Sequence, residues 1–366
     1  MKKTLGGLIT ALCLTLLPFD VKAEGPAVSG FIDTTYNYNF NSYEETANNL
    51  FHSYDAQANT FLLNTTHLVF NGSVEQLSYV VELDVGSDAS VNTASGSGEG
   101  DDFDIQEAYG VYSVEEGMGL KFGKFVTYNG IEVIESGSNP TISRGYLFGL
   151  AEPFTHVGGV FFKTFGSVDI HIGAVNGWDQ LKDVNTEPTG VLKVGYNGGD
   201  PLNLIFSAYA GPEQADNNND KRVTFDLTGV TKIIPSLDLW FQLNTGSEDN
   251  VPMTSVLSDG SSAVSTKDAD WSGLGIQPIY HVNDDFSVGF RYEYFKDDDG
   301  VRTGSLIDDL KLHTVSVCPS FAANKNLVFR LEARLDKANE DVFEEDSDEI
   351  TDTQTIVYAQ AIYSFA

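Results

Sequence analysis

Apolar and polar side chains alternate with period two through most of the chain. Leu77, Tyr79, Val81, Leu83 and Val85 are interleaved with Ser78, Glu82 and Asp84, so one face of that stretch is apolar and the other meets water. The same order returns in Val168, Ile170, Ile172 and Ala174 against Asp169 and His171, and in Leu202, Leu204, Phe206 and Ala208 against Asn203 and Ser207. It continues in Val223, Phe225 and Leu227 against Thr224, Asp226 and Thr228, then in Leu237, Leu239, Phe241 and Leu243 against Asp238, Gln242 and Asn244. It is cleanest near the end, where Phe286, Val288, Phe290, Tyr292 and Tyr294 flank Ser287, Arg291 and Glu293, and Leu327, Phe329, Leu331, Ala333 and Leu335 flank Arg330, Glu332, Arg334 and Asp336. Charges in the middle of a long, apolar-faced strand must point into water, and in a membrane that water can only be a lumen.

The connections between these strands alternate in length. Short ones fall at residues 71–76, 114–119, 165–167, 197–201, 233–236, 283–285 and 322–326. Long ones fall at 41–58, 86–102, 128–155, 177–187, 211–221, 246–270, 296–309 and 337–352. Seven short and eight long connections separate about 16 strands, an even number with both termini on the short-turn side. The pattern predicts an all-β fold: a transmembrane antiparallel β-barrel with short periplasmic turns and long extracellular loops. A soluble sandwich has no reason to gather every long loop at one end.

The N-terminus fits export. Lys2 and Lys3 precede a broken apolar stretch over residues 5–19, and Ala23 follows Val21 and Lys22, the order of a secretory signal peptide. Cleavage is expected between Ala23 and Glu24, with residues 1–23 as signal and 24–366 as one barrel domain. A lipoprotein reading would need a small residue before Cys13, where Leu12 stands. Removing Cys13 leaves Cys318 alone, so no intramolecular disulfide can form.

The whole chain has 21 Lys and Arg against 53 Asp and Glu, a net of −32; without Lys2, Lys3, Lys22 and Asp20 the balance is 18 against 52, or −34. That sign excludes nucleic acid as a partner. Much of the acid sits in long loops, as in Asp297, Asp298 and Asp299 or Glu344, Glu345 and Asp346. Such runs form a solvated, self-repelling face, or bridge to anionic surface lipid through divalent cations. With 24 Phe and 16 Tyr against 3 Met, and 35 Gly, composition favours strands and turns.

Enzyme signatures are missing: there is no His-Glu-x-x-His, no Cys-x-x-Cys and no phosphate-binding loop. Asp216, Asn218 and Asp220 begin like a calcium loop, but Lys221 stands where glycine is needed and Leu227 where the bidentate Glu belongs. Ser143, His156 and His171 offer the residue types of a hydrolase, yet nothing in the sequence pairs them.

The connection 128–155 differs from the other loops. It mixes Ile131, Val133, Ile134, Tyr146, Leu147, Phe148, Leu150 and Phe154 with Glu132, Glu135, Arg144 and Glu152. So apolar a loop should fold against a wall, and in a wide barrel that wall is the inside of the lumen. Its carboxylates would face lumen cations, the candidates being Lys121, Lys124, Lys163, Arg291, Arg330 and Arg334. Opposed charges at a narrowing filter solutes by charge and size, and a loop carrying Glu132, Glu135 and Glu152 would favour cations. The same groups could instead form only wall-stabilising ion pairs.

This region carries Gly123-Lys124-Phe125, Asn129-Gly130-Ile131-Glu132, Ser143-Arg144-Gly145-Tyr146-Leu147-Phe148, Ala151-Glu152-Pro153-Phe154-Thr155-His156-Val157-Gly158 and Asn176-Gly177-Trp178-Asp179. With these motifs the chain resembles the OmpL-like β-barrel porin family of Gram-negative outer membranes. The resemblance implies an outer-membrane channel and offers no catalytic residues to carry over. The chain departs from the usual pattern at its end, where Ala366 follows Phe365 in place of a terminal aromatic residue.

The function expected is passive diffusion of small hydrophilic solutes through a water-filled lumen, with no cofactor. Expected partners are outer-membrane lipid and lipopolysaccharide, the barrel-assembly machinery, and further copies in a homotrimer. The rival readings are a secreted or surface-attached β-rich adhesin-like binding protein and an outer-membrane hydrolase. Topology separates the barrel from the sandwich. An epitope within 337–352 should bind antibody on intact cells while one at 283–285 stays protected, and the reverse labelling would overturn the layout.

Overall fold

The alternation forms strands because side chains of opposite character can be sorted to the two faces of one ladder. In a computed structural model of the chain, residues 26–41, 48–92, 102–199, 201–256, 262–345 and 349–365 are described. The strands are β1 (Ala27–Asn39), β2 (Phe61–Val74), β3 (Leu77–Val85), β4 (Phe103–Glu115), β5 (Met118–Val126), β6 (Thr155–Phe165), β7 (Val168–Val175), β8 (Thr189–Asn197), β9 (Asn203–Pro212), β10 (Lys221–Ile234), β11 (Leu237–Val256), β12 (Ser262–His281), β13 (Phe286–Asp297), β14 (Leu310–Asn324), β15 (Leu327–Ala338), a short hairpin β16 (Phe343–Glu345) and β17 (Glu349–Thr351), and β18 (Thr353–Phe365). Sixteen of them, all but β16 and β17, close into one antiparallel barrel in which β1 pairs with β18.

Closure settles the sandwich alternative, because the sheet leaves no edge: Asp33 lies opposite Ile362 and Tyr36 opposite Ala359 at the seam. Backbone groups are thereby paired internally all round, as a hydrocarbon environment demands. No helix among the described residues is long and apolar enough to cross a membrane. The outer face carries Phe122, Ile172, Phe290 and Leu331, all exposed, while the inner face carries buried Asp33, Asp226, Arg291 and Arg334.

All seven short connections fall where expected, and Gly30 opposite Phe365 places both described chain ends on that side. Residues 1–23, residue 366 and the Ser/Gly stretch 96–100 lie outside the described residues. One long connection is corrected. Residues 246–270 are largely strand: β11 and β12 run on as a paired ribbon, Val251 opposite Lys267 and Val256 opposite Ser262. A ribbon in water needs paired backbone and no apolar face, so the hydrophobic alternation that reports burial passes over it. A register shift between Glu248 and Val251, with Asn250 at φ 47°, marks where the ribbon departs from the regular barrel ladder. Connection 86–102 contains helix α1 (Ser87–Asn92), and 337–352 contains the β16–β17 hairpin.

The face assignment has a direct test. Phe290→Arg and Leu331→Arg should each destabilise the barrel by about 2–4 kcal/mol if near the bilayer midplane, whereas Ser287→Arg, on the lumen face, should cost about 1 kcal/mol or less. Denaturant unfolding in lipid measures this, and equal tolerance at Phe290 and Ser287 would contradict the assignment.

Candidate functional site

The loop between β5 and β6, here L3 (residues 127–154), lies inside the barrel. Its chain follows the inner wall strand by strand. Ser207 on β9 donates to the Tyr128 carbonyl at 3.0 Å, Asp226 on β10 accepts from the Gly130 N–H at 3.1 Å, and Gln242 on β11 accepts from the Ile131 N–H at 3.4 Å. Farther round, Glu332 on β15 accepts from the Ile142 and Ser143 N–H groups at 2.6 and 2.8 Å and from the Ser143 hydroxyl at 2.7 Å. Arg330 donates to the Ser136 and Asn139 carbonyls at 2.8 and 2.7 Å, and Arg334 to the Arg144 carbonyl at 2.8 Å. Wall side chains replace the ladder that this irregular backbone lacks.

Two glycines explain the loop's motifs. Gly130 has φ +90°, a left-handed conformation, and a β-carbon there would collide with the Glu152 carboxylate. At Gly145 a β-carbon would meet Glu293 on β13.

Apolar burial holds the other half of L3. A helical turn at Leu147–Ala151 packs Tyr146, Leu147 and Ala151 against Trp271, Phe295, Leu310 and Leu312, all buried. Other loops lock onto L3. The Arg144 guanidinium pairs with Asp88 of α1 at 3.3 Å and lies 4.3 Å from the Tyr54 ring centroid. Burial pushes the Asp88 carboxyl up to about 7, against the pull of Arg144. His52 of the first long loop contacts Asp55 at 2.8 Å and Asp336 at 2.9 Å. Burial and Arg334 oppose its protonation, but these two carboxylates raise its pKa above the ordinary value. At the end of L3 Asp179 accepts from the Phe154 and Thr155 N–H groups at 2.7 and 2.9 Å, and burial outweighs those bonds to lift its carboxyl to about 6.

The ten candidate residues divide sharply. Glu132 meets Arg291 at 3.1 Å and also accepts from Gln277 at 3.0 Å and the Gly145 N–H at 2.6 Å. Arg291 further donates to Thr141 and to the Ser143 hydroxyl, each at 2.7 Å. Glu152 is buried and accepts from Gln242 at 2.9 Å with no cation beside it among the described residues. Lys124 pairs with Asp104 at 3.1 Å, and Lys121 rests over the Tyr109 and Phe125 rings at 4.0 and 4.6 Å. Glu135, the loop carboxylate that keeps solvent contact, accepts from Gln106 on β4 at 2.5 Å. Lys163 is corrected: it shares its strand face with exposed Phe161 and Phe165, stands opposite Met118 near a short turn, and pairs with Glu115 at 3.3 Å. Strand parity turns it away from the lumen.

Ser143 is committed to Glu332 and Arg291, His156 donates from Nδ1 to the Gly177 carbonyl at 2.8 Å, and His171 contacts Asp169 at 3.1 Å. No described histidine hydrogen-bonds Ser143. Asp220 accepts from Asn217 and Asn250, and Asn218 donates to Thr186. The wall partners Asp226, Glu293 and Glu332 sit at polar positions of the sequence alternation, but nothing in the alternation says that they bind loop backbone. His67 on β2, buried beside Asp84 at 2.8 Å, lies in a segment with no clear alternation.

A closed barrel with an apolar belt, a charged interior and one loop folded into its bore is a porin-type outer-membrane barrel. The chain belongs to the family described as "Putative beta-barrel porin-2, OmpL-like", whose profile matches residues 26–365. No curated protein matches it in sequence. Among solved structures it is similar to the outer membrane channel DcaP of Acinetobacter baumannii (13% identity, TM-score 0.62, covering 95% of this chain and 100% of that one). It is also similar to an anion-selective porin from Comamonas acidovorans (12%, 0.62, 93% and 99%) and to OprB of Pseudomonas putida (9%, 0.58, 93% and 94%).

The network makes a prediction about L3. Arg291→Ala leaves the Glu132 and Glu332 carboxylates buried without their guanidinium, which should cost about 3–5 kcal/mol of loop docking. Trypsin should then cut after Arg144 in the folded barrel, with heat-modifiable gel mobility retained; undiminished protection of Arg144 would contradict the docking scheme.

Proposed function

We propose that this barrel is a passive diffusion porin for small hydrophilic solutes and that it prefers cations. The observation that carries the reading is the division of labour within the lumen. L3 is bonded mainly to the side formed by β9 to β15 and β18, where Glu132 meets Arg291 and Glu152 accepts from Gln242. On the side of β3 to β8, Glu82, Glu135, Asp169 and Lys193 are lumen-facing groups that keep partial solvent contact. Lys193 pairs with Asp169 at 3.2 Å, so the carboxylates left over are Glu82 and Glu135.

Glu132 and Glu152 are spent inside the loop's own packing, which moves the expected filter from three loop carboxylates to one loop and one wall carboxylate. The anion-selective neighbour has the same fold, so the sign of selectivity rests on side chains and not on architecture. Acidic loop tips add a second, screened contribution, because charges farther than roughly 8 Å from the permeating ion are damped at physiological salt. Export through a signal peptide of residues 1–23, insertion by the barrel-assembly machinery and a homotrimer in the lipopolysaccharide-bearing membrane complete the proposal. A trimer form of OmpT of Vibrio cholerae is among the similar structures (13% identity, TM-score 0.59, covering 93% of this chain and 100% of that one).

Reversal potentials across planar bilayers, in metal-free buffer, test the reading. The double variant Glu82→Gln, Glu135→Gln should lose most of its cation preference in concentrated salt. Glu344→Gln with Glu345→Gln should act only in dilute salt. Anion preference in the unaltered protein would overturn the assignment and point to Lys121, Lys124 and Lys193.

A further inference from the structure

Diffusion alone gives no reason for a buried imidazole at the edge of the open lumen. His67 on β2, Glu82 on β3 and Glu135 on L3 each bring one ligand atom within 4.8 Å of the others. His67 is 4% exposed. Its Nδ1 donates to Asp84 at 2.8 Å, and Asp84 is fixed in turn by the Thr65 hydroxyl at 2.8 Å and the Asn92 amide at 3.1 Å. Phe31 stacks on the ring at 4.9 Å between centroids.

With Nδ1 committed as donor, the lone pair of the neutral imidazole lies on Nε2. Among the described residues Nε2 makes no hydrogen bond. Its nearest carboxylate oxygen, on Glu82, is 3.7 Å away, beyond hydrogen-bond reach. A carboxylate behind one nitrogen, a second near the other and a third converging with them is an arrangement that orients a metal-binding histidine. The Gln106 amide donates to Glu135 at 2.5 Å and Glu82 at 3.4 Å, so it keeps the two acids convergent.

We infer that His67, Glu82 and Glu135 form a binding site for a divalent transition metal of the Zn²⁺ class, which ties L3 to the barrel wall. One nitrogen and two carboxylate oxygens at about 2.0–2.2 Å are ordinary zinc ligands, with a fourth position left to water. That sphere needs donor atoms roughly 3.3 Å apart, within reach by rotation of the glutamate side chains. The imidazole selects Zn²⁺ over Mg²⁺ and Ca²⁺, which prefer all-oxygen shells. The consequence for transport rests on the channel reading above: the ion neutralises the two carboxylates assigned to cation preference, so Zn²⁺ lowers both conductance and selectivity.

The test titrates Zn²⁺ into the refolded, detergent-solubilised mature chain by calorimetry, with Mg²⁺ as competitor and heat-modifiable mobility as the check of folding. The expected result is one Zn²⁺ per barrel, not displaced by excess Mg²⁺, with binding lost in His67→Gln. Asp84→Asn, which alters only the partner that orients the imidazole, should weaken it by about 10–100-fold. A folded wild-type barrel that binds no Zn²⁺, or a folded His67→Gln barrel that binds it equally well, overturns the site. Conductance is recorded with EDTA and then with Zn²⁺. Conductance without Zn²⁺ binding rejects the site and leaves the channel reading intact, whereas Zn²⁺ binding by a barrel that never conducts supports the site and rejects the channel.

Discussion

The structure depends on how an irregular loop satisfies its backbone inside a membrane-spanning bore. L3 has no ladder of its own over most of its length, and every buried N–H or C=O without a partner would cost about 1–3 kcal/mol. The wall supplies the partners: Asp226, Glu293 and Glu332 accept from loop N–H groups, and Arg291, Arg330 and Arg334 donate to loop carbonyls. This accounts for ionised residues in the middle of apolar-faced strands. They persist in the buried wall because each is hydrogen-bonded to the loop, and Arg291, Glu332 and Arg334 are ion-paired as well.

Apolar burial and polar matching divide the loop between them. The turn at Leu147–Ala151 sits on Trp271, Phe295, Leu310 and Leu312, inward positions where the wall turns apolar. Around Ser143 the wall is charged instead, and the loop answers with backbone and hydroxyl groups. Because L3 is committed to the side of β9 to β15 and β18, the remaining lumen is bounded by β2 to β8. There the wall holds the loop by fewer contacts, such as Gln106 with Glu135 and His171 with the Tyr128 hydroxyl.

Much of the barrel was legible in the sequence. Period-two patterning in β3, β13 and β15 marks the lipid and lumen faces directly, and Phe290 and Leu331 lie outside as their alternation requires. The inward fold of L3 was legible too, because Ile131, Leu147 and Phe148 cannot remain in water. Its partners were not, since contacts such as Ile142 with Glu332 join residues 190 positions apart. Charge alone does not place Lys163, whereas strand parity with Phe161 and Phe165 turns it outward. The ribbon beyond Glu248 escaped notice because pairing in water leaves no hydrophobic period. His67 gave no signal, for its role arises from three separate elements converging.

On the proposed reading L3, held by the wall network, sets the bore and its selectivity. Single-channel conductance of a barrel whose residues 131–150 are replaced by a short Gly-Ser linker tests it most directly. The account predicts a several-fold rise in conductance with loss of most cation preference in concentrated salt. Conductance and selectivity unchanged from the intact protein would contradict it.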